Sequence, residues 1–216
     1  MPNRLAPPPL YVILDAALLP SDPVEFAKRL LDAGARLFQY RNKTAPGREL
    51  LQAAQALNVT VRQEGGSFLV NDRADIARLA GASGVHVGQD DLEVASARAI
   101  AGVDAIVGVS THNLAQFQAA AATDADYVAV GPIFETRSKP NPDPVVGLEL
   151  IRRARQLTAK PIVAIGGITL ERAASVIEAG ADSVAVISDI LASRNPANRV
   201  RQFLEILSPL ARPAQN

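Results

Sequence analysis

The stretch FLVNDRADIARLAGASGVHVGQDD, residues 68–91, carries one full unit of the pattern that decides the fold. Phe68–Val70 and Val85–Val87 are short apolar runs of strand composition. Between them lies a segment of helical composition that stops at Gly81, a residue type that ends helices in a left-handed conformation. Each apolar run ends in polar and acidic groups, Asn71-Asp72 after the first and Gln89-Asp90-Asp91 after the second. Carboxylates add nothing to an apolar core, so the ends of these strands must serve something that favours negative charge.

The unit recurs along the chain. Apolar, β-branched runs stand at 10–14 (LYVIL), 36–40 (RLFQY), 67–70 (SFLV), 84–87 (GVHV), 105–109 (AIVGV), 127–130 (YVAV), 161–165 (PIVAI) and 183–187 (SVAVI). Stretches rich in Ala, Leu, Arg and Glu separate them. In the first of these, Phe26, Leu30 and Ala33 fall on one helical face, Asp22 is placed to cap and Pro23 suits a first helical position. Thr169 is a second expected cap, and Gly34, Gly102 and Gly180 end helices as Gly81 does. Repeated strand–helix units imply parallel strands joined by helical crossovers. Eight of them predict a single (β/α)8 barrel over residues 1–216, with an ordered core of about residues 10–207 and frayed termini. An open doubly wound sheet is the competing architecture; composition does not separate the two, and the count of eight favours the barrel.

Composition excludes several function classes. Lys+Arg and Asp+Glu are both 22, so there is no net charge to draw nucleic acid or an anionic membrane. Without cysteine there is no disulfide, no zinc–thiolate site and no thiol nucleophile. The start, MPNRLAPPPLYV, lacks the apolar centre of a signal peptide, and no apolar run approaches ~18 residues, so a cytoplasmic location is expected.

In a barrel of this kind the chemistry gathers at the carboxyl ends of the strands. Along FQYRNK, alternation puts Gln39, Arg41 and Lys43 on the face toward the barrel mouth, and Phe38, Tyr40 and Asn42 on the other. That polar face suits an anionic ligand, although a strand running out into solvent would look the same. Asp72 and Asp91 would end neighbouring strands and could share one Mg2+ ion, which one or two carboxylates typically hold. The competing reading makes Asn71 or Asp72 a helix cap, and spacing alone does not choose between Asp90 and Asp91. Ser110 ends the fifth run with no Ser-His-Asp arrangement around it. His86, inside an apolar strand, reads as a core histidine, and His112 as a loop residue. The segment GPIFETRSKPNPDPVVG (131–147) holds prolines at 132, 140, 142 and 144, which bars regular structure over most of it. Its Thr136, Arg137, Ser138 and Lys139 suit a phosphate. AIGGIT (164–169), with Gly167, and the Ile187-Ser188 step after the eighth run lie where such barrels bind phosphate. These features imply two phosphorylated small-molecule ligands, one bound with metal, and a reaction driven by charge neutralisation and orientation, with no general base evident.

Seven motifs, QYRNK, VNDRAD, GVHVGQDD, GVSTH, GPIFETRSK, AIGGIT and VAVIS, stand in the order and spacing that resemble the thiamine-phosphate synthase family over about residues 10–190. The resemblance implies a barrel transferase of thiamine biosynthesis that joins a pyrimidinylmethyl diphosphate to a thiazole phosphate, or its carboxylated form, and releases diphosphate by a dissociative route. It also implies roles. Gln39, Tyr40, Arg41, Asn42, Lys43 and Asn71 bind the pyrimidine diphosphate, with Ser110 at the pyrimidine and Lys139 at the diphosphate. Arg41, Lys43, Ser110 and Lys139 are then the catalytic set. Asp72 and Asp91 hold one Mg2+ per site. Thr136, Ser138, Gly167, Ile187 and Ser188 hold the thiazole phosphate. Two positions depart from the family pattern, Asn42 where an acid is usual and Ser138 where Thr is common. A thiazole tautomerase of the same fold, or a phosphate sensor without catalysis, would have no need of Lys43, Asp72, Asp91 and Lys139 together. A homodimer is compatible with the sequence and is not read from it.

Overall fold

In the computed structural model, which describes residues 6–136 and 143–211, eight parallel strands close on themselves in sequence order. They are β1 (Leu10–Asp15), β2 (Leu37–Arg41), β3 (Ser67–Asn71), β4 (Gly84–Val87), β5 (Ile106–Thr111), β6 (Tyr127–Val130), β7 (Ile162–Ile165) and β8 (Ser183–Val186). The helices between them are α1 (Pro23–Asp32), α2 (Gly47–Gln63), α3 (Ala74–Ala80), α4 (Val94–Ala101), α5 (Leu114–Ala121), α6 (Gly147–Leu157) and α7 (Leu170–Glu178). The short α8 (Ser188–Leu191) and α9 (Pro196–Leu207) follow β8. Pairing of Leu10 with Val184 and Val12 with Val186 joins the first strand to the last, so the sheet is a barrel and not an open one.

Alternation along each strand divides the apolar residues into two layers. Outward-facing Val12, Leu14, Phe38, Phe68 and Val85 pack with the helices, together with Phe26, Phe117 and Phe203. Inward-facing Tyr11, Ile13, Leu37, Leu69, Ile106, Tyr127 and Val163 fill the barrel. The two tyrosines make the interior partly polar, which matters for the site above it.

Most local signals behave as their chemistry dictates; Gly102 closes α4 at φ 115° and ψ 153°, outside the left-handed helical region that Gly81 takes. The Asp22 carboxylate accepts from the backbone N–H groups of Val24 and Glu25, and Pro23 opens α1. Gly81 closes α3 at φ 64°, a conformation that penalises a side chain. Thr169 precedes α7 as expected but makes no capping bond to the helix backbone. Neither Asn71 nor Asp72 caps α3: Arg73 stands at that position without a side-chain cap bond. The helix-cap reading of these residues therefore fails, and their side chains belong to the barrel mouth. Among the described residues no helix is long and apolar enough to cross a membrane.

Candidate active site

Sequential strand order sets the ends of β2, β3, β4 and β5 side by side, around a cavity of about 550 Å3. Arg41, Lys43, Asn71, Asp72, Asp91 and Ser110 all line it. Arg41 is held from the neighbouring strand: its Nη1 donates to Asp15 Oδ2 at 2.5 Å, and Asp15 Oδ1 accepts from Ala17 N at 3.1 Å. Asp15 is only 2% exposed, so this pair is shielded from water on the acidic side. Lys43 pairs with Asp72, whose backbone takes φ 61° and donates to His86 O at 2.7 Å. A left-handed aspartate is uncommon, and here it turns the carboxylate back over the cavity.

Asp72 touches Asp91, and the two carboxyls respond in opposite senses. Burial raises the Asp72 pKa and the adjacent Asp91 raises it further, against the opposing Lys43. Burial also pushes Asp91 upward, but hydrogen bonds from Asp72 and from Gly88 N, with the Lys43 charge, hold it below the usual carboxylate range. Two carboxyls in contact thus shift apart, Asp72 upward and Asp91 downward. Asp91 Oδ2 accepts from Gly88 N at 2.8 Å. Of Asp90 and Asp91, it is Asp91 that lies against Asp72, although both line the cavity from exposed positions. Among the described residues no group of three or more His, Asp or Glu side chains could hold a metal ion.

Beneath the cavity a chain of polar side chains crosses the barrel. Gln39 Nε2 donates to Tyr11 Oη at 2.8 Å, and Tyr11 Oη lies 3.2 Å from Tyr127 Oη. His86 Nδ1 is 2.8 Å from Tyr127 Oη, and its Nε2 is 2.8 Å from Ser110 Oγ. Gln39 therefore stands lower than the sequence suggested, 2% exposed and two residues below Arg41 on β2. Tyr40 and Asn42, which the resemblance implies bind the pyrimidine diphosphate, do not line this cavity: they turn away from it as alternation requires, and Asn42 Oδ1 accepts from Thr44 N and Ala45 N. His86 is a satisfied core histidine, as expected, yet it also lines the cavity and bonds Ser110. Asp15, Tyr11, Tyr127 and the link through His86 escaped the sequence reading. Asp15 carried a usable signal, since it ends an apolar run just as Asp72 and Asp91 nearly do.

A second cavity, of about 760 Å3, opens beside the first and is lined by Thr136, Gly167, Arg172 and Ser188, with Asp143 common to both. Ile187 immediately precedes α8 and Ser188 begins it. The glycine pair before α7 has a reason besides anion binding. A Cβ on Gly166 would fall 2.5 Å from Pro132 Cα, and one on Gly167 2.3 Å from Glu135 O. Both glycines let the segment after β6 lie against the end of β7. Arg172 Nη1 donates to Gly167 O at 3.0 Å while its guanidinium covers the Phe134 ring at 4.7 Å. His112 ties the same segment down: Nδ1 is 2.6 Å from Gly131 O and Nε2 3.5 Å from Asp143 Oδ2. Ser138 and Lys139 lie outside the described residues, as does Arg137.

Comparison with known proteins agrees with this geometry. The profile of the family described as thiamine monophosphate synthase matches residues 10–190. A thiamine-phosphate synthase of Koribacter versatilis is 51% identical over 212 residues, covering 96% of this chain and 99% of its own. One of Chlorobium phaeovibrioides is 46% identical over 193 residues, covering 89% and 90%. Among solved structures, a thiamine phosphate pyrophosphorylase from Pyrococcus furiosus superposes with a TM-score of 0.85 at 30% identity, covering 96% of this chain and 98% of that one.

Proposed function

The chain belongs to the thiamine monophosphate synthase family and is a transferase of that activity, and from this premise we propose that it joins 4-amino-2-methyl-5-(diphosphooxymethyl)pyrimidine to a thiazole phosphate, plain or carboxylated. The observation that carries the reading is the junction of two unlike cavities at Asp143. One has cations and paired carboxylates suited to a metal-bound diphosphate. The other has glycine backbone and the hydroxyls of Thr136 and Ser188, suited to a monophosphate.

Asp72 and Asp91 fit one Mg2+ per site: both donors are hard oxygens, two carboxylates are the usual protein share, and their mutual repulsion marks a place short of positive charge. When bound, Mg2+ supplies positive charge that helps the diphosphate leave. Arg41, steadied by Asp15, offers two parallel N–H donors to diphosphate oxygens, and Lys43 adds a point charge once it is drawn from Asp72. Asn71 lines the same wall, and Ser110 meets the pyrimidine from below. The bond between the pyrimidine methylene carbon and the diphosphate oxygen breaks first, its electron pair leaving with the diphosphate. The thiazole nitrogen lone pair then forms the new C–N bond, and the positive charge ends on the thiazolium; with the carboxylated thiazole the carboxylate also leaves as CO2, and the electron pair left on the ring carbon takes a proton from water. Such a reaction asks the protein for charge neutralisation and alignment and for no strong base. Lys139 and Ser138 complete the proposal by resemblance, Lys139 toward the diphosphate and Ser138 toward the thiazole phosphate.

The test is diphosphate release from purified protein with the pyrimidine diphosphate and Mg2+, with and without thiazole phosphate. Release that needs both substrates and stops with EDTA supports the synthase. Absence of release, in protein that converts a thiazole phosphate between tautomers, would replace it with the tautomerase reading.

A further inference from the structure

We propose that His86 is a positioning residue which, as the neutral tautomer protonated on Nε2, holds the Ser110 hydroxyl so that its hydrogen faces the pyrimidine cavity. The proposal rests on the reading that Ser110 meets the pyrimidine.

The argument is a count of hydrogens along the buried chain. An amide nitrogen only donates, so Tyr11 Oη accepts from Gln39 Nε2 at 2.8 Å. The single Tyr11 hydrogen then goes to its other partner, Tyr127 Oη, at 3.2 Å. The Tyr127 hydrogen in turn goes to His86 Nδ1 at 2.8 Å, which demands a lone pair there. A neutral imidazole with an accepting Nδ1 carries its hydrogen on Nε2, 2.8 Å from Ser110 Oγ. Ser110 accepts that bond, and its own hydrogen is left for a ligand acceptor such as a ring nitrogen of a pyrimidine. An imidazolium would reverse the middle of the chain, since Nδ1 would donate to Tyr127, and would leave one of the two phenol hydrogens without an acceptor. The count also needs both phenols to keep their protons. Burial ensures this, pushing Tyr11 up to about 12 and Tyr127 well above its ordinary value.

The backbone makes room for this arrangement. Gly108 on β5 is the register partner of both His86 on β4 and Tyr127 on β6. A Cβ at Gly108 would lie 2.0 Å from the Tyr127 ring. With no side chain there, Tyr127 lies over the glycine and stacks on His86, centroids 5.5 Å apart and planes 17° apart. Three neighbouring strands therefore spend one layer of the barrel on fixing an imidazole under Ser110.

The chain has two histidines, so nitrogen-15 spectroscopy of the whole protein reads the tautomer directly, with a His86→Asn sample to assign the signals. The expected result is a pyridine-type Nδ1 and a pyrrole-type Nε2 for His86. The opposite tautomer, or an imidazolium at pH 7.5, overturns the proposal. Kinetics give a second arm that a merely structural role would not move. A Gln side chain can present an N–H about where Nε2 stands, whereas Asn reaches only about as far as Nδ1. His86→Gln is expected to keep the KM for the pyrimidine diphosphate within about threefold, and His86→Asn to raise it about tenfold, the loss of roughly one hydrogen bond. The KM for thiazole phosphate stays unchanged in both. Equal losses in the two variants, tracking their melting temperatures, refute the positioning role. Lack of turnover in the unaltered protein would sink the synthase reading instead, and the spectrum would still decide the tautomer.

Discussion

Replacing Asp15 by Asn removes one charge and almost no volume, which isolates what that charge does for Arg41. The Asp15 side chain is 3% exposed and the Arg41 side chain 19%, so solvent screens the pair little. A hydrogen bond to a charged group contributes about 1.5–3 kcal/mol, against about 1 kcal/mol for a neutral one. Asn can still accept from Ala17 N or from Arg41, so the net loss in Asp15→Asn is about 1–2 kcal/mol. For a chain of this size each kcal/mol moves the melting temperature by about 2–4 °C, which predicts a fall of about 2–8 °C. The functional effect should be larger than the thermodynamic one. A guanidinium free to swing no longer meets the diphosphate in register, and misplacement by about 1 Å costs up to about a hundredfold in rate. Thermal unfolding and diphosphate release, measured on one preparation, separate the two effects. Wild-type melting and turnover in Asp15→Asn would refute the claim that Asp15 orients Arg41. A lower melting temperature with unchanged turnover would leave Asp15 a purely structural residue.

Three further outcomes are expected. Asp91→Asn should lower diphosphate release at least about a hundredfold at saturating Mg2+ while the chain stays folded by circular dichroism; retained turnover would remove Asp91 from the proposed metal site. Asp72→Asn should stabilise the metal-free protein at pH 7 while abolishing the shift in melting temperature that Mg2+ gives the wild type. The sign follows from the raised Asp72 pKa: the folded state holds this proton more tightly than the unfolded chain. The resulting penalty is absent below the ordinary carboxylate pKa, grows as pH rises above it, and is complete beyond the raised folded value. The stabilisation should therefore vanish in acid, and the lost Lys43 pair offsets it little because that lysine is half exposed. Gly108→Ala should destabilise by about 3 kcal/mol or expel the Tyr127 ring from its layer, visible as a shift in melting temperature of about 6–12 °C; a wild-type melting curve would contradict the close approach of 2.0 Å.

Much of this protein is written locally. Strand composition, helix-ending glycines and the Asp22 cap depend on neighbours a few residues away, so the eight strand–helix units were legible from sequence, with boundaries within one or two residues of those observed. Alternation, a property of any strand, correctly directed Arg41 and Lys43 inward and Tyr40 and Asn42 outward. The acids after β3 and within the loop after β4 were legible as site residues because charge at a strand end has no use in a core. Three things needed the third dimension. Closure of the sheet depends on Leu10 meeting Val184, far apart in the chain, and no local pattern encodes that meeting. The choice of Asp91 over Asp90 depends on which carboxylate reaches Asp72 across strands. The identity of Asp15 and His86 as supports for Arg41 and Ser110 depends on register between strands, as does the path through Tyr11 and Tyr127, 116 residues apart. Sequence by itself determined which residue types stand at which strand ends, because backbone geometry and solvent exposure act over a few bonds. The tertiary structure alone decided which of them touch, because hydrogen bonds and ion pairs act over about 3 Å and only closure of the barrel brings those atoms so near.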